Sequence, residues 1–353
     1  MFLAGKHFIG GFDGTTITPA LKKLIQKCRI GGVILFSRNI ESPTQVRTLV
    51  SRMQKLAPHP LFIGVDQEGG RVARMKGPFT PIPPMAVVGK FYRDTGKIKP
   101  IIQLGRVMGK ELRAVGYNWD FAPVTDVHSN PKNPIIGNRS FSPDPIVVSR
   151  CAAALICGLH AEGMLSCAKH FPGHGATSVD SHLDLPILKA AGRLLWKRDL
   201  FPYRKLVKEG VIRCLMTAHV RYPALDPENC ATLSRAILTD LLRERIKYRG
   251  LIVSDDLFMK AISDRFGIPS AAIRFFEAGG DIALICKEPE VQMETMARVA
   301  ELAGKDRLLR DHLRRSHLRI ERIRNRFCPP TNLPPLSIIG SPEHRRMVEV
   351  FSM

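Results

Sequence analysis

Eight short apolar runs recur along the chain, at residues 7–10, 32–36, 61–65, 117–122, 164–170, 214–219, 251–255 and 281–285. Continuous apolar runs of this length suit parallel strands buried on both faces. The stretches between them are mostly amphipathic at helical spacing. Within 45–56, Val46, Leu49, Val50, Met53 and Leu56 fall on one face, and 101–115 and 146–161 behave alike. Ser234 reads as an N-cap ahead of Ile237, Leu238, Leu241 and Leu242. Eight strands alternating with helices predict an α/β fold, a (β/α)8 TIM-type barrel in a single domain over residues 1–328. The alternative, a doubly wound open sheet, wants a G-x-G-x-x-G loop after its first strand. Gly10-Gly11-Phe12-Asp13-Gly14 lacks that spacing. An Arg-rich helix over 305–327, with Leu309, Leu313, Ile320 and Ile323 on one side, should pack on the barrel. Cys328-Pro329-Pro330 stops it, and 329–353 is expected as an extended Pro-rich tail.

Composition narrows the class. Of 353 residues, 44% are hydrophobic, enough for a full core and against wholesale disorder. No run of about 18 apolar residues predicts a membrane span, and the first residues lack a secretory pattern. The 8 cysteines form no C-x-x-C pair and read as buried free thiols, so a reducing, cytoplasmic setting is expected. The formal charge of +21 raises nucleic acid as a partner. Against it, no nucleic-acid-binding motif is present, only 7% of residues are aromatic, and basic residues are not interleaved with them. The charge is also unevenly spread. Residues 121–180 hold four basic and four acidic residues, and 241–300 hold nine of each.

In a barrel the chemistry sits where strands end. The third run leads into Asp66-Gln67-Glu68-Gly69-Gly70-Arg71 and Arg74. The fourth holds Asn118 and Asp120 and is followed by Asp126. The fifth leads into Lys169-His170-Phe171-Pro172-Gly173-His174-Gly175, the sixth ends in His219, and the seventh in Ser254-Asp255-Asp256. Buried charge at this density is costly unless it works. The segment 169–184 carries three histidines and two aspartates. It lacks the helical H-E-x-x-H pattern of a zinc site, and no metal is expected. A Schiff-base Lys169 is a second reading. A third makes Asp180-Ser181-His182 a dyad in which the carboxylate raises the basicity of the imidazole. His174, in a P-G-H-G turn, reads better as a side-chain anchor. Asp255 follows an all-apolar strand, so its carboxylate should emerge at the rim as a nucleophile, with Asp256 or Ser254 capping the next helix.

Together these residues resemble glycoside hydrolase family 3, in its single-domain bacterial β-N-acetylglucosaminidase branch (NagZ type). The resemblance rests on Gly64-Val65-Asp66-Gln67-Glu68-Gly69-Gly70-Arg71-Val72 with Arg74, Phe121-Ala122-Pro123-Val124-Thr125-Asp126-Val127, and Asn138-Arg139-Ser140-Phe141. It extends through K-H-F-P-G-H-G at 169–175 with D-S-H at 180–182, Met216-Thr217-Ala218-His219 and Ser254-Asp255-Asp256-Leu257. It implies a retaining β-N-acetylhexosaminidase in which Asp255 attacks the anomeric carbon. His182, oriented by Asp180, protonates the departing oxygen from a loop that closes over substrate. Asp66, Arg74, Arg139, Lys169 and His170 hold the terminal sugar, and His219 lines the same pocket. The resemblance further implies no metal or organic cofactor and a monomer with no nucleic-acid partner. It places the protein in the cytoplasm, acting on 1,6-anhydro-muropeptides of cell-wall recycling. A phosphorylase that uses phosphate in place of water is an alternative within the family. Two departures stand out: Ala176 where family members often carry an acid after G-H-G, and the high charge. A basic exterior around a charge-balanced site would draw in anionic peptide fragments.

Overall fold

The apolar runs take up eight parallel strand positions. A computed structural model describes residues 4–177, 185–328 and 332–352. In it, β1 (Phe8–Gly10), β2 (Gly32–Leu35) and β3 (Phe62–Val65) are followed by a small antiparallel hairpin, β4 (Gln67–Gly69) and β5 (Val72–Ala73). Next come β6 (Trp119–Asp120), β7 (Leu165–Ser166), β8 (Ala168–Phe171), β9 (Cys214–Thr217), β10 (Leu251–Asp256) and β11 (Ile282–Ile285). The main sheet has the order β7-β6-β3-β2-β1-β11-β10-β9-β8, with every pair parallel. Its two end members are separated only by Cys167, so they are one stretch of chain. The sheet therefore closes on itself as a (β/α)8 barrel, and the expected fold class holds.

Side-chain alternation sorts these strands into two cores. Ile34, Phe62, Trp119, Phe121, Cys167, Met216, Leu251 and Val253 point inward and fill the barrel. Val33, Leu35, Ile63, Val65, Ala168, Leu215 and Ile252 point outward and meet the helices. Gly64 has the inward parity because a Cβ there would stand 2.6 Å from the Phe121 ring. No helix among the described residues is long and apolar enough to cross a membrane. All 8 cysteines are unpaired thiols, six of them buried.

The Arg-rich helix begins at Arg307, where the Asp306 side chain accepts from the Leu309 N–H, and runs to Phe327. Its Ile320, Ile323 and Phe327 join the barrel-filling cluster from below. The segment after it departs from the expected extended tail. Residues 332–352 include a helix, Pro342–Glu349, whose N-cap Ser341 accepts from the His344 N–H. This segment docks on the helix Lys99–Ala114. The buried Glu111 there accepts from His344 Nδ1 at 2.8 Å and from the Gly340 N–H at 2.9 Å. Phe351 meets Phe91 edge to face. The start signal, Ser341-Pro342-Glu343, was hidden by the prolines before it. One smaller expectation holds and another changes. Ser234 caps the helix that follows it, a π-type helix over Ala236–Arg245, its hydroxyl accepting from the Ile237 N–H. Neither Ser254 nor Asp256 caps a helix. Ser254 Oγ accepts from the Leu284 N–H, and Asp256 Oδ1 accepts from the Phe258 and Cys286 N–H groups, so both residues tie β10 to the end of β11.

Candidate active site

The polar residues that follow the barrel-filling positions enter its mouth. Asp66 lies two residues beyond the inward-facing Gly64 of β3, Lys169 two beyond the inward-facing Cys167, and Asp255 two beyond the inward-facing Val253 of β10. The register shifts at the ends of β8 and β10, so the neighbouring His170 and Asp256 reach the cavity as well. These residues meet in a cavity of about 530 Å³, a size suited to a small ligand. Asp66, Glu68, Arg74, Arg139, Lys169, His170, His174 and Asp255 form its floor and walls. Phe36, Phe258, Met259, Lys260 and Lys287 also line it.

The floor is an ion-pair network. Lys169 Nζ lies 2.9 Å from Asp66 Oδ1 and 2.6 Å from Glu68 Oε1. Arg139 grips Glu68 with two parallel bonds of 2.7 Å from Nε and Nη2. Arg74 Nη2 stands 3.6 Å from Asp66 Oδ2. Burial alone would push the Glu68 carboxyl up, but Lys169 and Arg139 hold it far below the usual carboxylate range. Burial works against the Lys169 ammonium, yet Asp66 and Glu68 keep it charged well above neutral pH. The site therefore presents fixed charges and donors to a polar ligand without having to reorganise.

A second layer positions the histidines. The buried Asp126 accepts from His170 Nδ1 at 2.8 Å and from the backbone N–H groups of His170 and His174. Burial raises its pKa, but His170 and His174 outweigh that and leave it lowered. With Nδ1 donating to Asp126, Nε2 is the free edge of the His170 ring. His174 Nδ1 pairs with the Thr177 hydroxyl at 2.7 Å, and Asn133 Nδ2 donates to the His174 carbonyl at 2.9 Å. Desolvation, helped by His170, lowers the His174 pKa to about 4. His174 thus has both an anchoring contact and a place in the cavity wall. Ala176 packs, partly buried, against the hydrophobic core.

Asp255 Oδ1 accepts from the Asp256 N–H at 2.8 Å. Burial raises its pKa, and the facing His219 and His170 more than reverse this, so the carboxylate is held below its ordinary range. Its neighbour Asp256 behaves oppositely: burial lifts it to about 6 despite two backbone donors. His219 is 1% exposed. Its Nε2 donates to the Asp256 carbonyl at 3.1 Å, and its Nδ1 pairs with Thr232 Oγ1 at 2.7 Å. These contacts fix the imidazole beside the nucleophile candidate Asp255, on which it exerts the largest charge effect. Asp180 and His182 lie outside the described residues. Two buried carboxylates absent from the expected site set belong to it: Glu68, at the same parity as Asp66, and Asp126 behind His170.

The profile of the glycosyl hydrolase family 3 N terminal domain matches residues 9–323. The chain belongs to glycoside hydrolase family 3. It is 38% identical over 360 residues to the Beta-hexosaminidase A of Pseudoalteromonas piscicida, covering 94% of this chain and 60% of that protein. Among solved structures, a family 3 beta-N-acetylglucosaminidase from Paenibacillus sp. str. FPU-7 superposes with a TM-score of 0.92 at 33% identity. That match covers 99% of this chain and 67% of the other. Native NagZ from Neisseria gonorrhoeae superposes with a TM-score of 0.82 at 33% identity, over 98% of this chain and 96% of its own. The family 3 match spans every strand of the barrel from Ile9 onward, and with them the whole described cavity.

Proposed function

We propose that this family 3 chain is a retaining exo-β-N-acetylglucosaminidase, and that its substrates include 1,6-anhydro-muropeptides released in the cytoplasm. The observation that carries this reading is an ionised, inward-facing Asp255 in the same cavity as the Asp66–Glu68–Lys169–Arg139 network. One carboxylate oxygen is occupied by the Asp256 N–H, which leaves Oδ2 to attack the anomeric carbon as the aglycone oxygen departs. His182, with Asp180 behind it, supplies the proton to that oxygen. It then takes one from the water that releases the sugar and frees Asp255. Asp66, Arg74, Arg139, Lys169 and His170 hold the hydroxyls and N-acetyl group. The roles need no metal, and among the described residues no group of three His, Cys, Asp or Glu is placed to hold one. Lys260 and Lys287 on the cavity lining suit the carboxylates of a peptide-bearing aglycone. The named activities of the Pseudoalteromonas and Paenibacillus relatives support the same sugar.

Two measurements test this. A chromogenic β-N-acetylglucosaminide should be cleaved faster than the matching β-glucoside, without added phosphate and with no sugar 1-phosphate formed. A preference for the glucoside overturns the sugar assignment, and sugar 1-phosphate as the main product overturns hydrolysis. His182→Ala should slow a substrate with a poor leaving group by about 10²–10⁴-fold. It should spare an activated aryl substrate, whose leaving group needs no proton. Equal losses on both would show that His182 is not the acid.

A further inference from the structure

The basic residues of the cavity are nearly balanced by Asp66, Glu68, Asp255 and Asp256, so the charge of +21 lies mostly elsewhere, and the helix Arg307–Phe327 concentrates part of it on one face. That helix holds eight arginines and two acids. At about 100° per residue its apolar positions Leu309, Leu313, Ile320, Ile323 and Phe327 form the buried side. The opposite arc, about 120° wide, carries Arg307, Arg314, Arg315, Arg322 and Arg326, all exposed. Asp311 is the one acid on that arc, 3.7 Å from both Arg307 and Arg314, so the face stays strongly positive.

Two leucines project from the same arc. Leu308 is 81% exposed and Leu318 67%, while the other exposed large apolar side chains among the described residues lie between 37% and 54%. Isolated exposed leucines need no explanation. The two most exposed ones, on a single helix face and flanked by five arginines, form the pattern that seats on an anionic lipid surface. Leucines enter the headgroup boundary while arginines pair with phosphates. A nucleic-acid surface would want stacking aromatics, and this arc has none.

The position of the helix agrees. Arg324 Nη1 donates to the Gly31 carbonyl and Arg319 pairs with Asp281 at 2.7 Å. Gly31 and Asp281 immediately precede β2 and β11, so the helix plugs the N-terminal end of the barrel. The cavity lies at the opposite end. We propose that the outward face of Arg307–Phe327 docks the protein peripherally on an anionic phospholipid bilayer, with the cavity mouth turned toward solution.

Vesicle flotation of the full chain tests this. The protein should float with phosphatidylcholine vesicles containing about one-third phosphatidylglycerol, not with phosphatidylcholine alone, and about 0.5 M NaCl should release it. R314Q/R315Q/R322Q should weaken lipid binding at least about tenfold, and L308S/L318S by about tenfold. Hydrolysis of a soluble aryl substrate should be unchanged in both variants. Salt release of the parent protein is a readout that needs no variant to fold. Failure to float, binding that ignores salt or lipid charge, or folded variants that float like the parent would each overturn the proposal. So would tighter binding to duplex DNA than to the charged vesicles.

Discussion

Asp255→Ala should reduce kcat/KM for a β-N-acetylglucosaminide by about 10⁴-fold or more, while the fold persists. The carboxylate is at the mouth of the barrel, beyond the apolar stack of Leu251 and Val253, so its loss opens the cavity wall and leaves the core intact. Asp255→Asn keeps an acceptor for the Asp256 N–H and nearly the same volume, so it separates the lost nucleophile from lost packing. Both variants should be nearly inactive with melting temperatures close to that of the parent. Added azide should fit the space left in the alanine variant and restore cleavage of an activated aryl substrate, giving a glycosyl azide of inverted configuration. The pH profile gives an independent check. His219 and His170 hold the Asp255 carboxyl below its usual range despite burial, and the ionised form is the reactive one. The step in which Asp255 attacks, read as kcat/KM, should therefore survive acidification to below an ordinary aspartate pKa of about 3.9, wherever the protein remains folded, while kcat falls earlier as His182 loses its role as base. An alanine variant with more than about a hundredth of parental activity would remove Asp255 from the nucleophile's role.

The barrel was legible because burial on both faces leaves continuous apolar runs, and strand number follows from counting them. Reading the polar residue after an apolar run found Asp255 beyond Val253 and Lys169 beyond Cys167. A strict period of two would have excluded His170 and Asp256, which register shifts at the ends of β8 and β10 bring into the same cavity. Past Thr217 the alternation ends: Ala218 and Val220 both pack in the outer core, so a count from Leu215 does not place His219, whose Nδ1 pairs with Thr232 Oγ1. Glu68 was passed over inside its motif although it has the parity of Asp66. Asp126 was passed over because its work is done on a neighbouring histidine. Helix capping by Asp256 failed for a tertiary reason: its side-chain oxygen accepts from the Cys286 N–H, thirty residues away, and no local pattern encodes that. The docked helix Pro342–Glu349 is similar, since its partner Glu111 lies on a distant helix and gave no sign in the sequence around 342.

Glu68→Ala should be the most destabilising change in the site, by about 3–5 kcal/mol, because it strands the Arg139 guanidinium and takes one of two carboxylates from the buried Lys169. Glu68 is 1% exposed and is the shared partner of Arg139 and Lys169. Lys169 keeps Asp66 at 2.9 Å, but Arg139 loses both of its carboxylate bonds. The sign of the pH dependence follows from the depressed Glu68 pKa. Its stabilisation is complete above the unfolded glutamate value of about 4.3 and fades as pH falls below it, when protons favour the unfolded chain. Urea denaturation at neutral pH should therefore show the full gap between parent and Glu68→Gln, and acidification below that value should narrow it. A gap that is constant with pH would mean that Glu68 acts by packing and not by charge. Activity should fall with stability, since Arg139 and Lys169 would no longer be fixed against a bound sugar. Removing Arg139 together with Glu68 distinguishes a network from independent contacts. If the pair is coupled, the double variant E68Q/R139Q should be no less stable than E68Q alone, because the stranded guanidinium is gone. It should still fail to bind substrate tightly, because the donors that held the sugar left with it.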